Sequence, residues 1–152
     1  MAETKADTTE PTAEPIVVGK DVGKFLNADQ ILKVEDLKTE IVPVDEWGGN
    51  VIVSELMAAD RDAYEQSMWN DRGNGRLVAN RANARARLVV KVLVSPEGVR
   101  LFNDDSADAL GAKSAAVVDR LFDVAIRLSG MEQEDVEEEG KDFDPLHNGA
   151  SS

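Results

Sequence analysis

Residues 39–65 read TEIVPVDEWGGNVIVSELMAADRDAYE, and no other stretch limits the possible folds as strongly. A short apolar run meets a Trp-Gly-Gly-Asn turn, a second apolar run leaves it, and a charged amphipathic segment follows at once. Gly48, Gly49 and Asn50 are residue types that accept a positive φ, so the economical reading is a β-hairpin with Trp47 folded over its neighbours. Over 37–42, Leu37 and Ile41 alternate with Lys38 and Glu40, the period of a half-buried strand with those two apolar side chains inward. Pro43 cannot donate to a sheet ladder, so this strand is an edge or ends there.

Helical periodicity governs most of the rest. Leu56, Ala59, Ala63, Tyr64 and Met68 fall on one side of a 3.6-residue spiral, with Asp60 and Asp62 in its first turn, where the helix dipole favours anions. Residues 70–75, NDRGNG, read as a loop. A helix over about 80–93 would bury Ala84, Leu88, Val89 and Val92 and leave Arg81, Arg85, Arg87 and Lys91 on the remaining surface. Residues 95–98 form a turn, and 99–102 are strand or extended connector. Asp104, Asp105 or Ser106 caps a short helix to Leu110. The strongest helix spans 113–128, burying Val117, Val118, Leu121, Val124, Ala125 and Leu128, and Gly130 closes it. Asn27 caps a short turn of sequence ADQILK, and an acidic helix follows at 132–139. The fold class is α+β: one mostly helical domain of four or five helices with a small antiparallel hairpin. It spans 24–143, between a disordered acidic tail at 1–23 and a flexible tail at 144–152.

Composition narrows the function. The 152 residues carry a net charge of -13, which disfavours nucleic acid and anionic membranes and suits a basic partner. There is no cysteine, so disulfides and thiol catalysis are excluded. The one histidine, His147, falls in the tail and reads as a spacer, neither a catalyst nor a metal ligand. Gly48-Gly49 lacks the further glycines and lysine of a phosphate loop. Asp104, Asp105 and Asp108 read as helix caps in preference to a cation site. No apolar run reaches the length of a signal peptide core or a membrane span. These readings predict an intracellular, soluble protein that is not an enzyme and needs no cofactor or metal.

Binding is the remaining possibility. Arg72, Arg76, Arg81, Arg85, Arg87 and Lys91 form a basic middle, and residues 132–144 hold eight acids against one lysine. Basic middle and acidic end suggest a contact within one chain or a head-to-tail contact between subunits. The candidate partner-binding residues are Arg81, Arg85 and Arg87, Glu134, Glu137 and Glu138, the hairpin residues Trp47, Val51 and Val53, and Trp69, tryptophan being enriched at binding hot spots.

From Phe25 to Phe143 the order of segments resembles the tail assembly chaperones of long-tailed (siphovirus-type) bacteriophages. The matching pieces are FLNADQIL with DLKTE, EWGG with V-x-V, RDAYE, NARARLV, EGVRLF with Asn103-Asp104-Asp105, DRLFDVAIRLSGM, and the acidic helix ending in KDF. Met57-Ala58 departs from the family's small polar helix start and weakens the cap. The resemblance implies a protein that binds the tape-measure protein, keeps it soluble, and helps tail-tube subunits polymerise around it. It also implies the short product of a frameshifted pair, with the extended form of itself and, through that form, the tail-tube protein as partners. Homo-oligomers acting in the host cytoplasm and absent from the mature virion complete that expectation. Two other classes compete: an acidic adaptor that binds one basic partner, and a structural tail component retained in the virion.

Overall fold

The computed structural model describes residues 15–131. The chain divides into two units at Glu35/Asp36. In the first, helix α1 (Ala28–Lys33) starts as expected: the Asn27 side chain accepts from the Gln30 N–H at 2.8 Å, and Gln30 Oε1 accepts from the Asn27 N–H at 2.9 Å. This reciprocal capping box satisfies two N–H groups that an isolated helix start leaves open. None of the helix's residues is buried.

The second unit opens with the hairpin. Strand β1 (Thr39–Val44) pairs antiparallel with β2 (Gly49–Ser54), joined by a 3-10 turn at Asp45–Trp47 and by Gly48 at φ 79. A third strand, β5 (Leu93–Val94), adds to β2, giving the order β1-β2-β5 with β1 at the edge. The Glu55 N–H donates to Lys38 O at 2.8 Å, which makes 38/55 a bonded pair and, by alternation, 43/50 a non-bonded one. Pro43 therefore sits in the edge strand at a position where no ladder donor is needed.

The face of β1 that turns inward is not the one expected. Val42 and Val44 are buried while Ile41 is 67% exposed, and Leu37 also stays at the surface. The IVPV run is apolar on both parities, and a shift of one residue exchanges the faces. Val42 and Val44 win because they share a face with Val53 across the register, against the buried helices.

Helix α2 (Ala58–Ser67) follows Met57 with no side-chain cap. Its core contribution is Tyr64. Leu56 and Met68, just outside its ends, are also buried, whereas Ala59 and Ala63 are exposed. Strands β3 (Trp69–Asp71) and β4 (Leu77–Ala79) form a second antiparallel hairpin where a loop and a helix start were expected. Gly73 and Gly75, at φ 99 and 72, turn its tip.

Helix α3 (Ala84–Val92) is consequently shorter than the expected 80–93, and it passes directly into β5. It is buried almost all round, Lys91 included, so the expected solvated basic face is missing from its last turns. A 3-10 turn at Asp104–Ser106, capped by Asn103, leads into α4 (Ala107–Gly111). Residues 99–102 are connector, with one bridge from Arg100 to Val94. Helix α5 (Ala115–Leu128) carries the broadest apolar face, adding Phe122 and Ile126 to the expected core residues; Val124 and Leu128 are only partly buried. Gly130 ends it at φ 67. α3 packs between α4 and α5, and α5 lies along β1 and β2. The result is an α+β fold, with five α-helices among the described residues. The expected helix at 132–139 lies outside them.

Candidate partner-binding surface

Two ion pairs from one side of α5 reach the hairpin, one at its turn and one near the start of β1. Arg120 and Arg127 are seven residues, about two turns, apart. Arg120 reaches Glu46 at 2.8 Å and Arg127 reaches Glu40 at 2.9 Å. The Arg120 hydrogen bond holds the Glu46 carboxyl below the usual carboxylate range. Trp47, on the turn beside Glu46, is 36% exposed and can meet a partner. Val51 is half-buried against the core. Val53 is fully buried, so it belongs to the core and not to the surface assigned to it from the sequence. Its position in β2, covered by β5 on one side and the helices below, explains the difference. On the opposite face of the sheet Ile41, Ile52 and Val94 line up across three strands.

The basic residues do not make one patch. Arg87 is engaged inside the chain: its guanidinium donates to Ser67 O at 2.5 Å, Ser67 Oγ at 3.1 Å and Asn80 O at 2.6 Å. Ser67 and Asn80 flank the β3–β4 hairpin, so Arg87 ties both of its ends to α3. Arg85 pairs with Asp119 at 2.9 Å and stacks over Phe122, 5.5 Å from the ring centroid. Lys91 is buried and pairs with Asp104 at 3.2 Å, which Arg100 also reaches at 2.8 Å. The Arg100 hydrogen bond, helped by Lys91, keeps the Asp104 carboxyl below its ordinary range. Arg81 is exposed, with Arg72 and Arg76 along the β3–β4 hairpin. Trp69 begins that hairpin and packs half-buried on the core. Glu134, Glu137 and Glu138 lie outside the described residues.

Two open grooves mark the second unit. One, of about 260 Å³, is lined by Arg81, Arg85, Lys113, Val118 and Asp119 between α3 and α5. The other, of about 470 Å³, lies at the start of α2 between Asp36, Leu37, Glu55, Leu56, Met57 and Arg61. Ser129 also lines the second groove, its hydroxyl accepting from the Leu56 N–H at 3.0 Å. Among the described residues, no three metal-ligating side chains gather and no helix is long and apolar enough to cross a membrane.

The sequence model of one family, described as phage tail assembly chaperone, matches residues 31–142. The chain belongs to the phage tail assembly chaperone family. Among solved structures it is similar to the bacteriophage HK97 tail assembly chaperone, at 18% identity and a TM-score of 0.49, over 69% of this chain and 95% of that one. No curated protein sequence matches it. The resemblance read from the order of sequence segments is thus borne out at the level of the family.

Within this member of the family, the surface that sequence reasoning missed is the β3–β4 hairpin with its exposed Leu77 and Val78. The signal was present in two glycines spaced by one asparagine, Gly73-Asn74-Gly75, between short runs that could pair. Three-residue strands carry too little alternation to stand out.

Proposed function

We propose that this chain binds the tape-measure protein during phage tail assembly, holds it soluble, and helps tail-tube subunits polymerise around it. The observation that carries this reading is the family match over residues 31–142. The chemistry of the surface supports it. Ile41, Trp47, Val99 and Leu101 remain accessible on a chain of net charge -13. Apolar contacts can cover a client's apolar faces while the negative charge keeps the complex dispersed. Trp47, Val51 and Trp69 are the tryptophan and hairpin positions proposed to contribute to client contact, and Arg81 and Arg85, with Glu134, Glu137 and Glu138, to contact between subunits. We assign the chain to the host cytoplasm as the short form of a frameshifted pair, absent from the finished virion and self-associating along its client. Many weak contacts summed along a long client give strong but reversible coverage.

The test is co-expression with the tape-measure protein of the same genome. The client is expected in the soluble fraction, co-purifying with many copies of this chain. A client that precipitates with or without the chain and its extended form would end the reading. A one-to-one complex with another basic protein would point to the adaptor, and recovery from purified particles to a retained tail component.

A further inference from the structure

The nine arginines of the sequence all lie among the described residues, and six of them are engaged. Arg61 pairs with Glu65, Arg85 with Asp119, Arg100 with Asp104, Arg120 with Glu46 and Arg127 with Glu40, while Arg87 holds two backbone carbonyls. Arg72, Arg76 and Arg81 have no acidic partner among the described residues, and all three belong to the β3–β4 hairpin or its base. Between Arg76 and Arg81, Leu77 is 51% and Val78 38% exposed. A two-stranded hairpin does not persist in water for its own sake. This one is kept on the body of the protein by Arg87 and by an Asn80 N–H to Met68 O bond of 2.6 Å. It is a basic arm with two exposed apolar side chains on its second strand, on a chain whose charge is otherwise strongly negative.

A receptor of opposite character lies at the other end of α2. The 470 Å³ groove has Leu37, Leu56, Met57 and Ala58 as its apolar lining and Asp36 and Glu55 on its walls. Asp60 and Asp62 follow in the first turns of the helix. Arg61, the cation lining the groove, is engaged by Glu65 at 3.0 Å. The ten residues of α2 separate groove from arm by about 15 Å, so one copy cannot easily place its own arm in its own groove. Two copies can. We infer that the β3–β4 arm of one copy docks in the groove at the start of α2 of the next. Leu77 and Val78 meet Leu37 and Met57, and Arg72 and Arg76 meet Asp36 and Glu55. A contact between unlike surfaces joins copies head to tail, into a ring where the rotation closes and an open row where it does not, and the row is the form that suits a long client. The inference rests on the self-association in the reading above and is independent of the client.

Charge exchange tests it, using the full chain and sedimentation velocity. Wild-type protein is expected to form concentration-dependent species larger than a dimer, shrinking as salt is raised. Arg72→Glu with Arg76→Glu, and separately Asp36→Lys with Glu55→Lys, should each give monomers with unchanged circular dichroism. Mixing these two proteins, or combining all four changes in one chain, should restore assembly, because each reversed arm then meets a reversed groove. Arg72 and Arg76 are exposed and hold no acidic partner among the described residues, which makes the first variant safe for folding, so the inference does not depend on the groove variant alone. A wild-type monomer, or reversed variants that assemble like wild type, would overturn it. Either result leaves client solubility free to succeed or fail separately.

Discussion

Asn83 occupies the space that a side chain on Gly111 would need. A Cβ built on Gly111 would lie 2.5 Å from Asn83 Oδ1 and 2.9 Å from its Cγ. Asn83 stands before α3 with φ 52, a left-handed conformation that asparagine tolerates better than most residues, and its Nδ2 donates to Asp108 Oδ1 at 2.7 Å. The start of α3 is therefore locked to the end of α4 by a fit that glycine alone permits. Gly111→Ala should lower stability by about 1 kcal/mol, the overpacking cost being partly offset by alanine's better helix propensity. Asn83→Gly in the same chain should return most of it, and urea unfolding of the single and double variants measures that coupling.

Arg87→Lys should loosen the β3–β4 arm more than the rest of the protein. Lysine presents one ammonium where the guanidinium reaches Ser67 and Asn80 together. A loss of about 2 kcal/mol is expected for the broken charge-assisted bonds. Hydrogen exchange should rise first at residues 69–79, with α5 retaining its protection. Equal exchange in the two regions would contradict the role assigned to Arg87.

Tyr64 puts its hydroxyl in the core, and Oη has no hydrogen-bond partner among the described residues. Removing an unpaired buried hydroxyl should be neutral or stabilising by up to about 1 kcal/mol, so Tyr64→Phe should unfold at an equal or higher temperature. Burial also raises the phenol's pKa above its ordinary 10.0. The unfolded chain then loses that proton first, and stability falls as pH rises from about 10 through the folded value. The phenylalanine variant should lack that share of the alkaline loss.

Asp104 supplies the acid-side counterpart. Its carboxyl is held below 3.8 by Arg100 and Lys91, so the unfolded state takes up the proton first as pH falls. The stability it contributes is present above about pH 4 and is lost on going down through the folded value. Asp104→Asn leaves the buried Lys91 without its anion. Because the Asp104 side chain is 61% exposed, a cost of only about 1–2 kcal/mol is expected at neutral pH. The gap between variant and wild type should narrow on acidification, as followed by thermal melts across the pH range.

What was legible in the sequence follows the strength of each local signal. The cap at Asn27, the hairpin through Gly48, and α5 were readable because cap, turn and periodicity are each decided by a few neighbouring residues. The inward face of β1 was not, because Ile41 and Val42 are equally apolar and the choice is made by β2 and α5. Strand β5 was hidden because Leu93 and Val94 simply continue the apolar run of α3. The basic residues misled for a related reason: sequence proximity grouped Arg81, Arg85, Arg87 and Lys91, whereas Arg81 precedes α3 and the other three leave it in different directions, to different surroundings. Whether a charge faces a partner or its own backbone is decided by residues far away in the chain.

The junction of α3 and β5 contains no connecting residue, Val92 ending one and Leu93 beginning the other. One inserted residue in α3 would swing everything after it by about 100° around the helix and deliver β5 with its two faces exchanged. Insertion should therefore abolish folding at this seam and leave it intact at the Gly73–Gly75 tip, where an inserted tag would obstruct only the docking assigned to the arm.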